Sequence, residues 1–107
     1  MRRLLVVDVL VSGAVVRTGH HVLTHLATIK VAIETAGGLA RLPLMWPAGP
    51  LTVRRPLGDG KVDVWRFHLD KPQAWESFVL QAGDAVIVQW HVADSEQDAA
   101  PNPTHIE

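Results

Sequence analysis

Histidine is the residue type in this sequence with the widest chemical repertoire, and the chain has six histidines. His21 and His25 are four positions apart, so on a helix both imidazoles would lie on one face and could chelate a metal ion. On a strand the same spacing holds them too far apart for direct chelation. No glutamate lies between them to act as the base of a zinc protease. The pair is therefore a candidate metal site only in a helical segment, and otherwise a solvated pair.

A second group of polar side chains follows from the alternation in two strand-like stretches, residues 61–69 and 85–92. In each stretch the apolar and aromatic residues occupy alternate positions, as side chains on one face of a strand do. The opposite faces carry Arg66 and His68 in the first stretch, and Gln89 and His91 in the second. If the two strands are neighbours, these side chains converge and could bind an anion, a metal or a carboxylate, or transfer protons. Otherwise they form the ordinary polar side of a sheet.

Other catalytic arrangements have little support in the sequence. The chain has no cysteine, which excludes thiol nucleophiles, zinc–thiolate sites and iron–sulfur clusters. No serine lies in a Gly-x-Ser-x-Gly elbow, and the glycine-containing turn at residues 58–60 is too short for a phosphate loop. We therefore expect no cofactor and favour a non-enzymatic protein. The alternative is a small oligomeric enzyme, ligand-binding or metal-assisted, that uses the histidine-bearing strand faces.

The four tryptophans, in a chain without tyrosine, divide into two kinds. Trp65 and Trp90 lie on the apolar faces of the two strand-like stretches and are expected in the core. Trp46 and Trp75 lie close to proline-containing turns, where we expect them to be partly exposed. Exposed tryptophan is typical of an interface, so both are candidate interface residues. The competing interpretation is that they close the open end of a sandwich.

Charge is distributed unevenly along the chain, although the net charge is only −1. Residues 1–58 have a balance of +5, and residues 59–107 have a balance of −6. Such asymmetry is typical of a basic binding face, an acidic tail or a subunit that stacks on itself. Arg54 and Arg55 are candidate interface residues, and with Arg41 nearby they suggest nucleic-acid binding as a third function. The near-neutral net charge disfavours that function.

Turn signals recur at intervals near the 8–12 residues typical of a sandwich or barrel, and the turn at residues 58–60 predicts a hairpin between residues 51–55 and 61–69. The segment 20–36 decides the fold class. Its content of Thr, Ile and Val favours a strand. That choice gives a mostly β, single-domain antiparallel β-sandwich or barrel of about seven strands, which we prefer. As a helix, the segment would have an apolar stripe ended by Gly37. With helices near 20–36 and 72–81, the fold becomes a ferredoxin-like β-α-β-β-α-β domain.

The sequence divides into a globular domain, residues 1–93, and a C-terminal tail, residues 94–107. The tail is acidic and contains two prolines, so we expect it to be flexible. Near the N-terminus, the apolar run of residues 4–11 is interrupted by Asp8 and is too short to span a membrane, so it is predicted to be the first strand. We therefore expect a cytoplasmic protein with no membrane contact.

The function that these features favour is binding to another protein. A small β domain with exposed edge strands and separated charges can associate with a second copy, so a homo-oligomer is expected. The enzyme with the histidine faces and the nucleic-acid binder are the two alternatives.

Overall fold

The computed structural model describes residues 6–24 and 26–92, in which strands alternate with two short helices. In chain order the elements are β1 (Val7–Gly13), β2 (Gly19–Leu23), α1 (Ile29–Thr35), β3 (Met45–Gly58), β4 (Lys61–Phe67), α2 (Pro72–Trp75) and β5 (Ala85–Val92). His25 and the predicted tail lie outside the described residues. Among the residues that are described, no helix is long and apolar enough to cross a membrane.

All five strands belong to one sheet, in the order β2-β1-β5-β3-β4. Strands β1 and β5 run parallel, and every other neighbouring pair is antiparallel. The prediction of a mostly β fold is confirmed. The antiparallel sandwich or barrel of about seven strands is not confirmed, because the sheet is open and mixed and the described residues contain no second sheet.

The segment 20–36 contains both structures that the sequence allowed. It begins in β2 and continues into α1, which Thr28 caps by accepting a hydrogen bond on Oγ1 from the Val31 amide at 3.3 Å. The helix ends where Gly37 takes φ +89° and the Gly38 amide donates to the Ile33 carbonyl. This is a Schellman ending, which requires a residue that tolerates the left-handed conformation. The ferredoxin-like alternative therefore had a correct helix, but it was shorter than expected and preceded by an extra strand.

The predicted hairpin around residues 58–60 is confirmed, since β3 and β4 pair in antiparallel register across it. All three turn residues have positive φ, including Asp59 at 56°. Strand β3 is much longer than the predicted stretch of residues 51–55, because it continues past a register irregularity between Pro47 and Leu51. The second predicted helix, near 72–81, is a single turn.

The core lies on one side of the sheet only. Inward-facing residues of β1, β3 and β5 pack there with the buried residues of both helices, Ile29, Ala32, Ile33 and Trp75. We call the opposite side the open face, because no helix of the described residues packs on it. Across the sheet, the open face carries His20 and Val22 of β2, Asp8 and Leu10 of β1, Ala85 and Ile87 of β5, Thr52 and Arg54 of β3, and Val62, Val64 and Arg66 of β4.

Gly13 fixes the contact between β1 and β5, which allows a test of the sheet order. It has φ +87°, and a Cβ at this position would overlap the backbone carbonyl oxygen of Val88. We expect Gly13→Ala to lower the free energy of unfolding by about 3 kcal/mol or more, as measured by urea denaturation. Gly19→Ala is the control, because Gly19 has φ +122° with open space around it, and should cost about 1–2 kcal/mol. Equal losses for the two variants would contradict the close approach of β1 to β5.

Candidate functional site

Arg55, predicted as an interface residue, is instead held inside the fold. Its guanidinium donates to both carboxylate oxygens of Asp84, from Nε at 2.9 Å to Oδ1 and from Nη2 at 2.8 Å to Oδ2. The Asp84 side chain is fully buried and also accepts a hydrogen bond from the Gln81 amide. The guanidinium lies 4.8 Å from the ring centroid of Trp65 and 5.8 Å from that of Phe78. Arg55 therefore connects β3 to the turn that precedes β5.

The environment of Arg55 stabilises its charged form. The hydrogen bond to Asp84 raises the pKa of Arg55, and the negative charges of Asp84 and Asp63 raise it further. Partial burial lowers this pKa, but the net shift is upward. The guanidinium thus remains a permanent cation opposite a buried carboxylate. Such a pair contributes to structure, and the guanidinium already has its anionic partner within the fold.

The remaining arginines of the proposed basic cluster do not join Arg55. Consecutive residues of a strand point to opposite sides, so Arg54 lies on the open face while Arg55 faces the core. Arg41 is exposed in the segment before β3. The three residues of the nucleic-acid hypothesis therefore do not share one surface.

The two predicted interface tryptophans have different environments. Trp75 is buried, at 7% exposure, and its Nε1 donates to the Leu69 carbonyl at 3.2 Å. The expectation that it is partly exposed is wrong, because the single turn α2 directs the ring into the core. Trp46 is half-buried and stacks on His91 with ring centroids 4.7 Å apart. This contact pairs two residues that the sequence assigned to different sites.

The histidine pair at residues 21 and 25 does not meet the helical condition for a metal site. His21 lies in strand β2, and its Nε2 is 2.7 Å from the Arg17 carbonyl oxygen. His20, next to it, forms a 3.4 Å pair with Asp8 on the open face. No group of three potential metal ligands occurs in the described part of the chain.

The four polar residues predicted to converge are separated by a strand. β3 lies between β4 and β5, so Arg66 and His68 are two strand spacings, about 10 Å, from the strand of Gln89 and His91. The condition that these strands are neighbours is therefore not met. The structure instead brings Arg66 and His68 together with the irregular part of β3.

Arg66 and His68 line a cavity of about 630 Å³ at the C-terminal end of β4. Its walls are residues 48–50 of β3 and residues 66–70. Gly49 has φ +72°, and a Cβ there would lie 2.9 Å from the Leu69 Cβ, so only glycine lets these two segments approach so closely. The cavity combines two nitrogen-bearing side chains with the apolar surface of Pro50, Phe67 and Leu69.

The open face is the second candidate surface, and the sequence reasoning missed it. Val22 and Val64 are 53% and 40% exposed there, and Leu10 is 37% exposed. The signal was present in β4, where Val62 and Val64 occupy the positions opposite Trp65 and Phe67 in the alternation. Both sides of that strand are thus apolar in part, which is typical of a sheet with something on each side.

Comparison with known proteins adds no family assignment. No protein-family model matches the chain, and a search of curated proteins finds no match.

The ion pair between Arg55 and Asp84 can be tested against the adjacent arginine. Arg55→Ala leaves a buried carboxylate without its cation, so we expect the free energy of unfolding to fall by about 3–5 kcal/mol. Arg54→Ala removes the same charge from the open face and should change the free energy of unfolding by no more than about 0.5 kcal/mol. Urea denaturation of both variants measures the difference. Similar small losses in both would show that the ion pair is not structural.

Proposed function

We propose that this chain is a non-enzymatic binding domain that acts through protein–protein contact, and that the partner on its open face is a second copy of the chain. The observation that supports this proposal most directly is the one-sided core. Both helices pack on the same side of the sheet, while Leu10, Val22, Val62 and Val64 are left exposed on the other. Leu10 and Val22 form one exposed apolar group at the β1–β2 edge and Val62 and Val64 a second at the β4 edge, and exposed apolar patches are typical of an interaction surface.

The energetic argument is the burial of apolar area. Fully burying an exposed valine or leucine side chain contributes about 1.5–3 kcal/mol, and because these residues are only 37–53% exposed, each contributes roughly half of that in each copy. Part of this gain offsets the loss of translational and rotational freedom on association. The face spans roughly 500 Å² in projection, from the strand spacing and the rise per residue, and side chains increase its accessible area towards the ~800 Å² per partner of a standard interface. A reversible dimer is the expected product.

Charge complementarity favours a second copy over an unrelated partner. Leu10 of β1, Ala85 of β5, Arg54 of β3 and Val64 of β4 are cross-strand partners and form one row, perpendicular to the strands, across the open face. Asp8 lies on the β1 half of the face, whereas both arginines, Arg54 and Arg66, lie on the β3–β4 half. A surface with acid on one half and base on the other is complementary to itself after a two-fold rotation.

The register specifies which residues would meet. A two-fold axis parallel to β5, the central strand, lays the β1–β2 half of one copy over the β3–β4 half of the other. Val22 then faces Val62 of the second copy, Leu10 faces Arg54 of the second copy, and Asp8 lies one row, about 6.6 Å along the strand, from that arginine. Two sheets stacked in this way are about 10 Å apart, so the dimer would form the β-sandwich that the sequence suggested within one chain.

Substitution of one exposed valine tests the surface. We expect the wild-type chain to show a mass in light scattering that rises with concentration towards twice its 11.7 kDa. Val22→Asp should keep the chain monomeric, because it would place a second carboxylate next to Asp8 in an apolar contact. Val16→Asp is the matched control, since Val16 is 55% exposed but lies outside the sheet, and should leave association unchanged. A wild-type monomer at all concentrations, or equal effects of both variants, would refute the proposal.

A charge exchange tests the orientation of the two copies. Asp8→Arg and Arg54→Asp should each weaken self-association by about tenfold, because each places like charges together across the interface. The double variant restores an opposite pair and should recover most of the lost affinity. The dissociation constants can be measured by sedimentation equilibrium at low salt. If the losses of affinity in the two single variants simply add in the double variant, the two-fold arrangement is contradicted. The result expected for Val22→Asp does not depend on this outcome.

A further inference from the structure

The cavity at the end of β4 presents two side chains that make no hydrogen bond or ion pair within the described part of the chain. Arg66 and His68 are both exposed, and both line the cavity. Arg55 and Arg17 differ in this respect, since Arg55 is paired with Asp84 and Arg17 donates to the Thr35 carbonyl. Arg54 also has no such partner among the described residues, but it lies outside the cavity. An arginine and an imidazole that line one cavity offer donors to an anion.

The spacing of the two residues suits a single acidic group. Arg66 lies in β4, and His68 follows just after the strand ends at Phe67, so the two residues are close in the chain and line the same cavity. A carboxylate or phosphate between them can accept a hydrogen bond from the guanidinium on one oxygen and from the imidazole on another.

The rest of the cavity indicates what the anion is attached to. Pro50, Phe67 and Leu69 contribute apolar surface, and Gly49 keeps the backbone of β3 close to Leu69. A volume of about 630 Å³ is within the range of small-molecule sites. Asp70 also lines the cavity and would repel a second acidic group on the same ligand.

We infer that this cavity binds a small organic anion with one acidic group, whose oxygens are held by Arg66 and His68 and whose apolar part packs against Pro50 and Leu69. This site goes beyond self-association and does not depend on it, because all of its residues come from one chain. Carboxylates and phosphate monoesters share the required oxyanion chemistry, and the ligands used in the test distinguish them.

The test is an amide NMR titration of the full chain with benzoate, phenyl phosphate and inorganic phosphate, at constant ionic strength. We expect saturable shifts at residues 48–50 and 66–70 with the preferred aromatic anion, and much weaker binding of inorganic phosphate. Arg66→Gln should weaken that binding about tenfold or more, since it removes a charge-assisted hydrogen bond. His68→Ala should also weaken it. Arg41→Gln is the control, because Arg41 is exposed and lies outside both the strands and the cavity, and it should leave the affinity unchanged.

Three results would overturn this inference. Shifts that do not saturate with any aromatic anion would show that the cavity is not a site. Equal effects of Arg66→Gln and Arg41→Gln would show a general charge effect. Inorganic phosphate binding as tightly as the aromatic anions would show that the apolar wall plays no part. Loss of self-association in Val22→Asp has no bearing on these outcomes, so the two proposals can fail separately.

Discussion

The buried carboxylate of Asp84 is the constraint on which most of this fold depends. A carboxylate with no exposed surface must be paired, and Arg55 supplies both the charge and two hydrogen bonds. This pairing holds the long hairpin of β3 and β4 against the turn before β5. Because the guanidinium also lies over Trp65 and Phe78, the same residue covers the aromatic edge of the core. One ion pair therefore connects the hairpin, the central strand and the segment after α2.

The position of β5 determines the rest of the sheet. It pairs with β1 in parallel and with β3 in antiparallel orientation, so it joins the N-terminal hairpin to the second hairpin. The parallel connection requires a long crossover, and the chain between β1 and β5 places both helices on one side of the sheet. The other side remains without cover from the described residues. The open face is thus a direct consequence of the topology, and the proposed self-association follows from it.

The two proposed binding surfaces are distinct in chemistry and share strand β4. The open face has exposed apolar side chains near its two edges, with Asp8 on one half and Arg54 on the other, which suit a flat partner with the same pattern. The cavity at the end of β4 is concave and combines Arg66 and His68 with an apolar wall, which suits a small anion. The two surfaces adjoin at Arg66, which lies on the open face and also lines the cavity.

The amino-acid sequence by itself determined the local features of this protein. Period-two alternation identified β4 and β5, the glycines at 58 and 60 identified the hairpin between β3 and β4, and Gly37 marked the end of α1. These features depend on backbone preferences and on residues close in sequence. Only the tertiary structure decided which strands are neighbours, and the insertion of β3 between β4 and β5 separated the four polar residues that were expected to converge. Likewise, nothing in the turn around Asp84 indicated its burial, since an acid in a turn is usually solvated. Strand order and the pairing of Asp84 with Arg55 depend on contacts between residues far apart in the chain, which local patterns do not encode.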